Sequence, residues 1–358
     1  MINVLHISRT MGQGGAEKVV YQLCEDCVDK NIKMYIASTG GTLADELEKK
    51  GIINIKIPDI DHKNPFMMLK TICILFNAIR KYKISIVHSH HRMAAFYSRI
   101  INIFNKKFKR IYTAHNIFNN KKRLLRFALW DSKIIAVGNG VKKNLIDFFG
   151  ISKEKIIVIY NSIKFPKIEE NNKDEKYEKK SEKLIATIGR LTEQKGIDIF
   201  IKAMSEIIKQ DPKIYGIIIG DGKLREELEE LSQKLNIQNN IIFLGYRKDV
   251  LNLISKVDFV VLASRWEGFP LTPIETFMMG KTIIVSDIDG NNEIVKEGIN
   301  GLLFKKNDIK DLKNKIEILC NDIEKRKNLE INAKKEYDEI YSYEKFNNSY
   351  KKEYLKLK

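Results

Sequence analysis

Short β-branched runs alternate with longer stretches of helical periodicity along the whole chain, the pattern of βα units built on parallel sheets. In the first half the strand candidates are Val4–Ile7, Lys33–Ser38, Ile84–His88, Arg110–Thr113, Lys133–Val137 and Ile156–Ile159. In the second they are Leu184–Ile188, Ile214–Ile219, Ile241–Leu244, Phe259–Ala263, Thr282–Val285 and Leu302–Phe304. Past Gly222, Leu224, Leu228, Leu231 and Leu235 recur at helical spacing, so one face of a helix there rests on a sheet. Phe66 to Ile79 is helical in length and mostly apolar, with Lys63, Lys70, Asn77 and Lys81 on one narrow stripe. It is too short, and interrupted by Lys70, to span a bilayer. Two readings stay open for it: a core helix with a thin wet edge, or a helix that also touches a membrane interface.

At 358 residues the chain exceeds one ordinary core and suits two domains, which the pattern places at 1–162 and 184–340. Between them Lys167 to Lys183 is almost wholly charged or amide and reads as an exposed linker, 163–183. Apolar and charged fractions are those of a globular protein, not a disordered one. The chain opens directly on strand-like residues with no basic segment followed by an apolar one, which predicts no secretory signal and a cytoplasmic location. Four scattered cysteines exclude a disulfide framework. Cys24-Glu25-Asp26-Cys27 has no second cysteine pair to complete a zinc site and reads as part of one helix.

Charge changes the picture more. Residues 1–160 hold 27 Lys and Arg against 12 Asp and Glu, or +15 of the chain's net +17. From His62 to Trp130 there are 15 basic residues and no acidic one, which points to a surface that meets something anionic. One basic group is Lys106, Lys107, Lys109 and Arg110; a second is Lys121, Lys122, Arg123 and Arg126. Each such residue near an anionic leaflet contributes about 1 kcal/mol. Nucleic acid would feel the same charge, but no nucleic-acid-binding module is recognisable.

The chemistry is concentrated where strands give way to loops. Glu267 and Glu275, eight positions apart, enclose Gly268-Phe269-Pro270-Leu271-Thr272-Pro273-Ile274 just after the run Asp258–Ala263. A strand running into a Gly-Pro turn and then a helix gathers backbone N–H groups and two carboxylates. Amides at a helix start favour phosphate oxygens, and carboxylates accept from sugar hydroxyls. After the first strand comes Gly12-Gln13-Gly14-Gly15-Ala16-Glu17, whose spacing departs from the dinucleotide fingerprint. In the second half, Gly189-Arg190-Leu191-Thr192-Glu193-Gln194-Lys195-Gly196 offers Arg190 and Lys195 to a diphosphate. Gly220-Asp221-Gly222 makes a further close-approach turn.

Together these pieces resemble the retaining glycosyltransferases of family four (glycosyl transferases group 1), of the bacterial surface-polysaccharide type. The resemblance covers essentially the whole chain. Phe243-Leu244-Gly245-Tyr246, Ser286-Asp287, Glu293 and Asn300-Gly301-Leu302 also come in the family's order. It implies the α/β fold called GT-B, two Rossmann-like parallel-sheet domains facing a central cleft that closes over the donor, with a C-terminal helix, 341–358, returning to the first domain. It implies that Arg190 and Lys195 hold the donor diphosphate, Glu275 the ribose and Glu267 the transferred sugar. Backbone around Gly268, Phe269, Leu271 and Thr272 would meet sugar and phosphates, backbone near Arg247 the base, and Gly220 would flank the donor. Gly14 and Gly15 would lie beside the phosphates and His115 near the reacting sugar, so that the catalytic set is His115, Glu267, Arg190 and Lys195. Thr272-Pro273 departs from what many relatives carry, so the loop shape there is less fixed than the glutamates.

The implied reaction moves a hexose or N-acetylhexosamine from a nucleotide diphosphate sugar, with UDP the default nucleotide, to a hydroxyl of a lipid-linked or envelope glycan. Retention follows either from same-face attack or from an enzyme nucleophile. No cofactor and no divalent metal are expected, since Asp59-Ile60-Asp61 and Asp287-Ile288-Asp289 imitate a metal motif only in spacing. His88, His90 and His91 hint at a metal, but without nearby carboxylates they read as a strand end lining the acceptor side. The expected partners are the donor, the glycan acceptor and the anionic inner leaflet, with the enzyme peripheral at that face, and not nucleic acid. Removing Lys195 is expected to slow transfer with little loss of folding. The rival readings are a sugar-nucleotide epimerase of the same architecture and a basic nucleic-acid-binding protein.

Overall fold

A computed structural model describes residues 1–12, 14–27, 31–164 and 183–357. The expected linker lies outside these residues except for 163, 164 and 183, as does Gln13 of the Gly-rich turn. The chain divides into two compact units: Met1–Lys164 with Tyr343–Lys358, and Phe165–Ser342.

The first unit holds a seven-stranded parallel sheet: β1 (Ile2–Ile7), β2 (Ile32–Ser38), β3 (Ile53–Lys56), β4 (Ile86–Ser89), β5 (Lys109–Ala114), β6 (Lys133–Ala136) and β7 (Ile156–Val158). Spatial order is β3-β2-β1-β4-β5-β6-β7, so the winding reverses between β1 and β4. Both faces are covered, which is why the inner strands read as unbroken apolar runs. Val4, Met34, Ile36 and Ile86 pack under helix Gly15–Asp26 and under Phe346, Tyr350 and Tyr354 of the C-terminal helix Tyr343–Lys356. Leu5, Ile7 and Val87 point to the opposite face, against helices Pro65–Lys81 and Arg92–Phe104. The edge strand β3 was not legible in the sequence. Its residues are exposed or only half-buried, so Ile53-Asn54-Ile55-Lys56 never forms the apolar run that marks an inner strand.

The helix expected at 66–79 runs over Pro65–Lys81, started by Asn64, whose side chain accepts from the Phe66 N–H. Thr71, Leu75, Ala78 and Ile79 are buried, while Phe66 and Leu69 stand 72% and 59% exposed. Its wet edge is therefore partly apolar. Cys24 lies in helix Gly15–Asp26 and Cys27 caps it; both are buried and neither is in a disulfide.

The second unit holds a six-stranded parallel sheet: β8 (Lys183–Ile188), β9 (Ile214–Ile219), β10 (Ile241–Gly245), β11 (Phe259–Leu262), β12 (Ile283–Ser286) and β13 (Gly301–Phe304). Its order is β10-β9-β8-β11-β12-β13, with the reversal between β8 and β11. Helix Ile197–Ile208 fills the core with Phe200, Met204 and Ile207, and the leucine-spaced helix Arg225–Lys234 rests on it through Leu228. Among the described residues no helix is long and apolar enough to cross a membrane.

Candidate functional site

In open parallel sheets ligands bind outside the carboxyl ends of the strands where the winding reverses. In the second unit the loops that follow β8 and β11 flank that point, and they hold the residues singled out in the sequence. Lys195 Nζ donates to Glu267 Oε1 at 2.6 Å, and Ser264 Oγ donates to the same oxygen at 2.7 Å. The two charged side chains are only 15% and 8% exposed. Arg190 is exposed on the same loop, and its side chain makes no ion pair among the described residues. The site thus presents one committed cation and one available cation.

Backbone geometry forces these loops together. Gly196 sits at φ 61°, and a Cβ there would fall 2.1 Å from the Ala263 carbonyl oxygen. At Gly220, φ is 140° and a Cβ would fall 2.0 Å from the Gly189 carbonyl oxygen. Any side chain at either position would push neighbouring loops apart. Side chains then lace the seam. Arg265 donates from Nη1 to the Glu193 carbonyl at 2.6 Å and from Nη2 to Asp198 at 2.8 Å. Gln194 Nε2 donates to the Trp266 carbonyl at 3.0 Å. Ser264, Arg265 and Gln194 were not singled out from the sequence; their adjacency to Lys195 and Glu267 was the only signal available.

Helix Leu271–Met278 begins directly after the Gly-Phe-Pro turn, and Glu275 lies inside it, 5% exposed. Pro273 has no N–H, so the first-turn amides on offer are those of Leu271 and Thr272. Phe269 is buried, its ring 6.1 Å from that of Tyr341, which leaves backbone as what Gly268-Phe269 can present. Arg247 closes its fork on Asp249 at 2.8 and 2.7 Å and holds that carboxyl below its usual range.

In the first unit the reversal point is occupied by histidines. His6 on β1 and His88 on β4 stand opposite each other in register. His90 follows β4 and His115 follows β5. His6 Nδ1 lies 2.9 Å from His90 Nε2, and His90 Nδ1 lies 3.1 Å from His115 Nε2. His88 spends both ring nitrogens, one on Tyr354 Oη at 2.8 Å and one on Thr113 Oγ1 at 2.7 Å. Burial pushes His6 down to about 3 and His115 down to about 4, and holds His88 and His90 well below the ordinary value. All four are neutral at physiological pH. His6 was missed because its partners are some eighty residues away, and only the β1–β4 pairing joins them. Nearby, Gly14 precedes the first turn of helix Gly15–Asp26 and Gly15 opens it.

Two expectations need correction, those for His90 and Arg110. His90 is buried with both ring nitrogens engaged, so it is not a surface contact for acceptor or membrane. His91 caps helix Arg92–Phe104, its Nδ1 accepting from the Met93 N–H at 3.3 Å, and stays 30% exposed with Nε2 3.7 Å from Asp61. Arg110 is 4% exposed and paired with Asp131 Oδ1 at 2.5 Å, with Ser98 and the Ala95 carbonyl as further acceptors. Its buried guanidinium is neutralised by a surface carboxylate, Asp131 being 43% exposed, so its charge does not face a membrane. Asp59 and Asp61 are both held by Arg9, at 2.7 and 2.9 Å.

The remaining basic residues are exposed in two places. Lys106, Lys107 and Lys109 lie at the start of β5, while Lys121, Lys122, Arg123 and Arg126 lie on the loop and helix Lys122–Ala128 after it. They do not form one cluster. The acid-free stretch nevertheless supplies helices Pro65–Lys81, Arg92–Phe104 and Lys122–Ala128. Its exposed apolar side chains are Phe66, Leu69, Ile103, Phe104, Phe127 and Trp130.

Two family models match the chain, Glycosyltransferase Family 4 over residues 13–165 and Glycosyl transferases group 1 over residues 168–336. An uncharacterized glycosyltransferase of Methanocaldococcus jannaschii is 31% identical over 318 residues, covering 84% of this chain and 85% of that one. A UDP-Gal:alpha-D-GlcNAc-diphosphoundecaprenol alpha-1,3-galactosyltransferase of Escherichia coli is 31% identical over 261 residues, 67% of each chain. The crystal structure of a glycosyltransferase from Rickettsia africae superposes with a TM-score of 0.85 at 25% identity, covering 99% of this chain and 98% of that one. With two parallel-sheet units of the GT-B kind and matches across both of them, the chain belongs to the family-four glycosyltransferases.

Proposed function

We propose that this glycosyltransferase moves a hexose or N-acetylhexosamine from a UDP-sugar to a hydroxyl of a lipid-linked or envelope glycan in surface-polysaccharide assembly, retaining anomeric configuration and needing no metal. The observation that carries the donor assignment is the buried Lys195–Glu267 pair beside exposed Arg190 at the winding reversal of the second sheet. An ammonium has three donors, so Lys195 can keep Glu267 and still meet a phosphate oxygen. Arg190 adds a planar fork suited to phosphate. As the sugar–phosphate bond breaks, these two charges and the amides of Leu271 and Thr272 stabilise the leaving diphosphate. Each lost charge contact costs about 3 kcal/mol, near a hundredfold in rate. Glu267 and Glu275 accept from sugar and ribose hydroxyls, and the backbone at Gly220 and Arg247 flanks the donor. In the first unit the same reading gives Gly14 and Gly15 to phosphate oxygens and His115 to an oxygen of the transferred sugar. The Escherichia coli relative supports the choice of a UDP-sugar and a lipid-diphosphate acceptor by its name.

Thermal unfolding with UDP, GDP, ADP and their sugars, in EDTA and then magnesium, tests the donor. A ligand at a hundred times its dissociation constant stabilises the folded state by about 2.7 kcal/mol. A shift with UDP or a UDP-sugar that survives EDTA is expected. A shift that demands magnesium would defeat metal independence, and none at all would defeat the donor site.

For the membrane the support is the run from His62 to Trp130, which carries 15 basic residues and no acidic one and has Phe66, Leu69, Phe104 and Trp130 among its exposed side chains. Aromatic and aliphatic tips among cations suit an anionic interface. Sedimentation is expected with vesicles containing phosphatidylglycerol and to weaken with salt. Equal binding to neutral vesicles would refute electrostatic docking. The epimerase reading predicts turnover of the donor without any acceptor.

A further inference from the structure

Three buried histidines, His6, His88 and His90, have no place in the donor chemistry, and the hydrogen bonds that join His6 and His90 to His115 carry information of their own. His6, His90 and His115 form a chain with two links, Nδ1 of His6 to Nε2 of His90 and Nδ1 of His90 to Nε2 of His115. A neutral imidazole has one N–H and one bare nitrogen. Each link therefore needs one protonated and one bare member, and that choice propagates. Either all three rings carry the proton on Nδ1, or all three carry it on Nε2. The far end decides between them. His6 Nε2 is buried and has no hydrogen-bond partner among the described residues. In the Nε2–H arrangement it would be an orphaned donor, the rarer and costlier defect; in the Nδ1–H arrangement it is only a bare lone pair.

We infer that His6 and His90 are positioning residues that lock His115 as the Nδ1–H tautomer, making its outward nitrogen a hydrogen-bond donor to the substrate and not a base. The consequence for substrate rests on the transferase reading above; the tautomer does not. His115 is half-buried, and Nδ1 is its one ring nitrogen outside the chain. Burial keeps all three rings neutral, so the direction is not erased by a second proton. His115 then donates to a sugar oxygen and cannot take the acceptor's proton, which leaves that proton to the departing phosphate. The competing use of the cluster is a metal site, since ligating atoms of His6, His88 and His90 lie within 4.8 Å of one another. Against it, both nitrogens of His88 are spent on Tyr354 and Thr113.

Long-range 1H–15N spectra of the uniformly labelled full chain at pH 7 show which nitrogen of each ring is protonated. Assignment comes from single His→Gln variants at each position. The expected result is Nδ1–H for His6, His90 and His115 together, in protein without ligand and in EDTA. Nε2–H on His115, or different tautomers within the three, would overturn the inference. So would zinc shifting His6, His88 and His90 in concert. UDP-glucose and UDP-galactose are then added: movement of the His115 Nδ1–H signal without a change of tautomer is expected. Should neither sugar nucleotide move it while the three tautomers stand, the chain is upheld and the substrate role of His115 is what fails.

Discussion

Lys195→Ala is expected to lower kcat about a hundredfold and, at the same time, to destabilise the fold by about 3 kcal/mol. The first effect follows from losing one of two cations placed for the diphosphate. The second runs against the sequence, which predicts little loss of folding when Lys195 is removed. In the structure its ammonium is 2.6 Å from a carboxylate that is 8% exposed, and only Ser264 remains to donate to that oxygen. Removing one member of a nearly buried pair leaves an unpaired charge, which is worse than removing both. The double variant Lys195→Met/Glu267→Gln should therefore recover most of the stability while transfer stays lost. Urea unfolding and kcat, measured on both variants, separate the two effects. Full activity in Lys195→Ala would end the assignment of this lysine to the donor. Equal destabilisation by the double variant would show that the pair matters through shape instead of charge.

That pair also shows what sequence can and cannot reveal. Strand-borne features were legible: inner strands of a sheet covered on both faces are continuous apolar runs, and the loops after them held the glutamates, Arg190 and Lys195 in order. Features that depend on which strands are neighbours were not. His6 and His88 face each other only because β1 and β4 are adjacent at the winding reversal. Arg110 looks like one of four basic residues within five positions, yet its side chain is buried beneath β5 and reaches the exposed Asp131 from inside, while Lys106, Lys107 and Lys109 stay in water. Composition locates charge along the chain. Burial decides which charges are surface and which are structural, and it is set by partners distant in sequence.

The same histidines make the first unit acid-labile in a window where few other groups titrate. The folded pKa of His6 is lowered from 6.5 to about 3 and that of His115 to about 4, and burial holds His88 and His90 well below 6.5 as well. Their hydrogen-bond partners are one another, Thr113 and Tyr354, none of them a carboxylate that could stabilise a proton. Below the ordinary histidine value the unfolded chain takes up protons on these rings and the folded chain does not. Stability is therefore complete above about pH 6.5 and falls with pH until the folded rings themselves protonate, by about 1.4 kcal/mol per pH unit for each ring, or about 5.5 for the four. Asp59 and Asp249, whose values are lowered from 3.8, add their own loss only in stronger acid. Glu330 and Glu336, raised from 4.5, oppose it, but they belong to the second unit. The chain has two tryptophans, Trp130 in the first unit and Trp266 in the second, so Trp266→Phe leaves a single fluorescent reporter for the first. In that background the urea midpoint should drop steeply between pH 6.5 and 5, with the stability falling at a slope near four protons. Adding His6→Phe should reduce the slope by about one proton and leave the rest in place. A midpoint unchanged between pH 7.5 and 5 would mean that these rings already share a proton in the folded state, and neither the acid sensitivity nor the neutral chain to His115 could then stand.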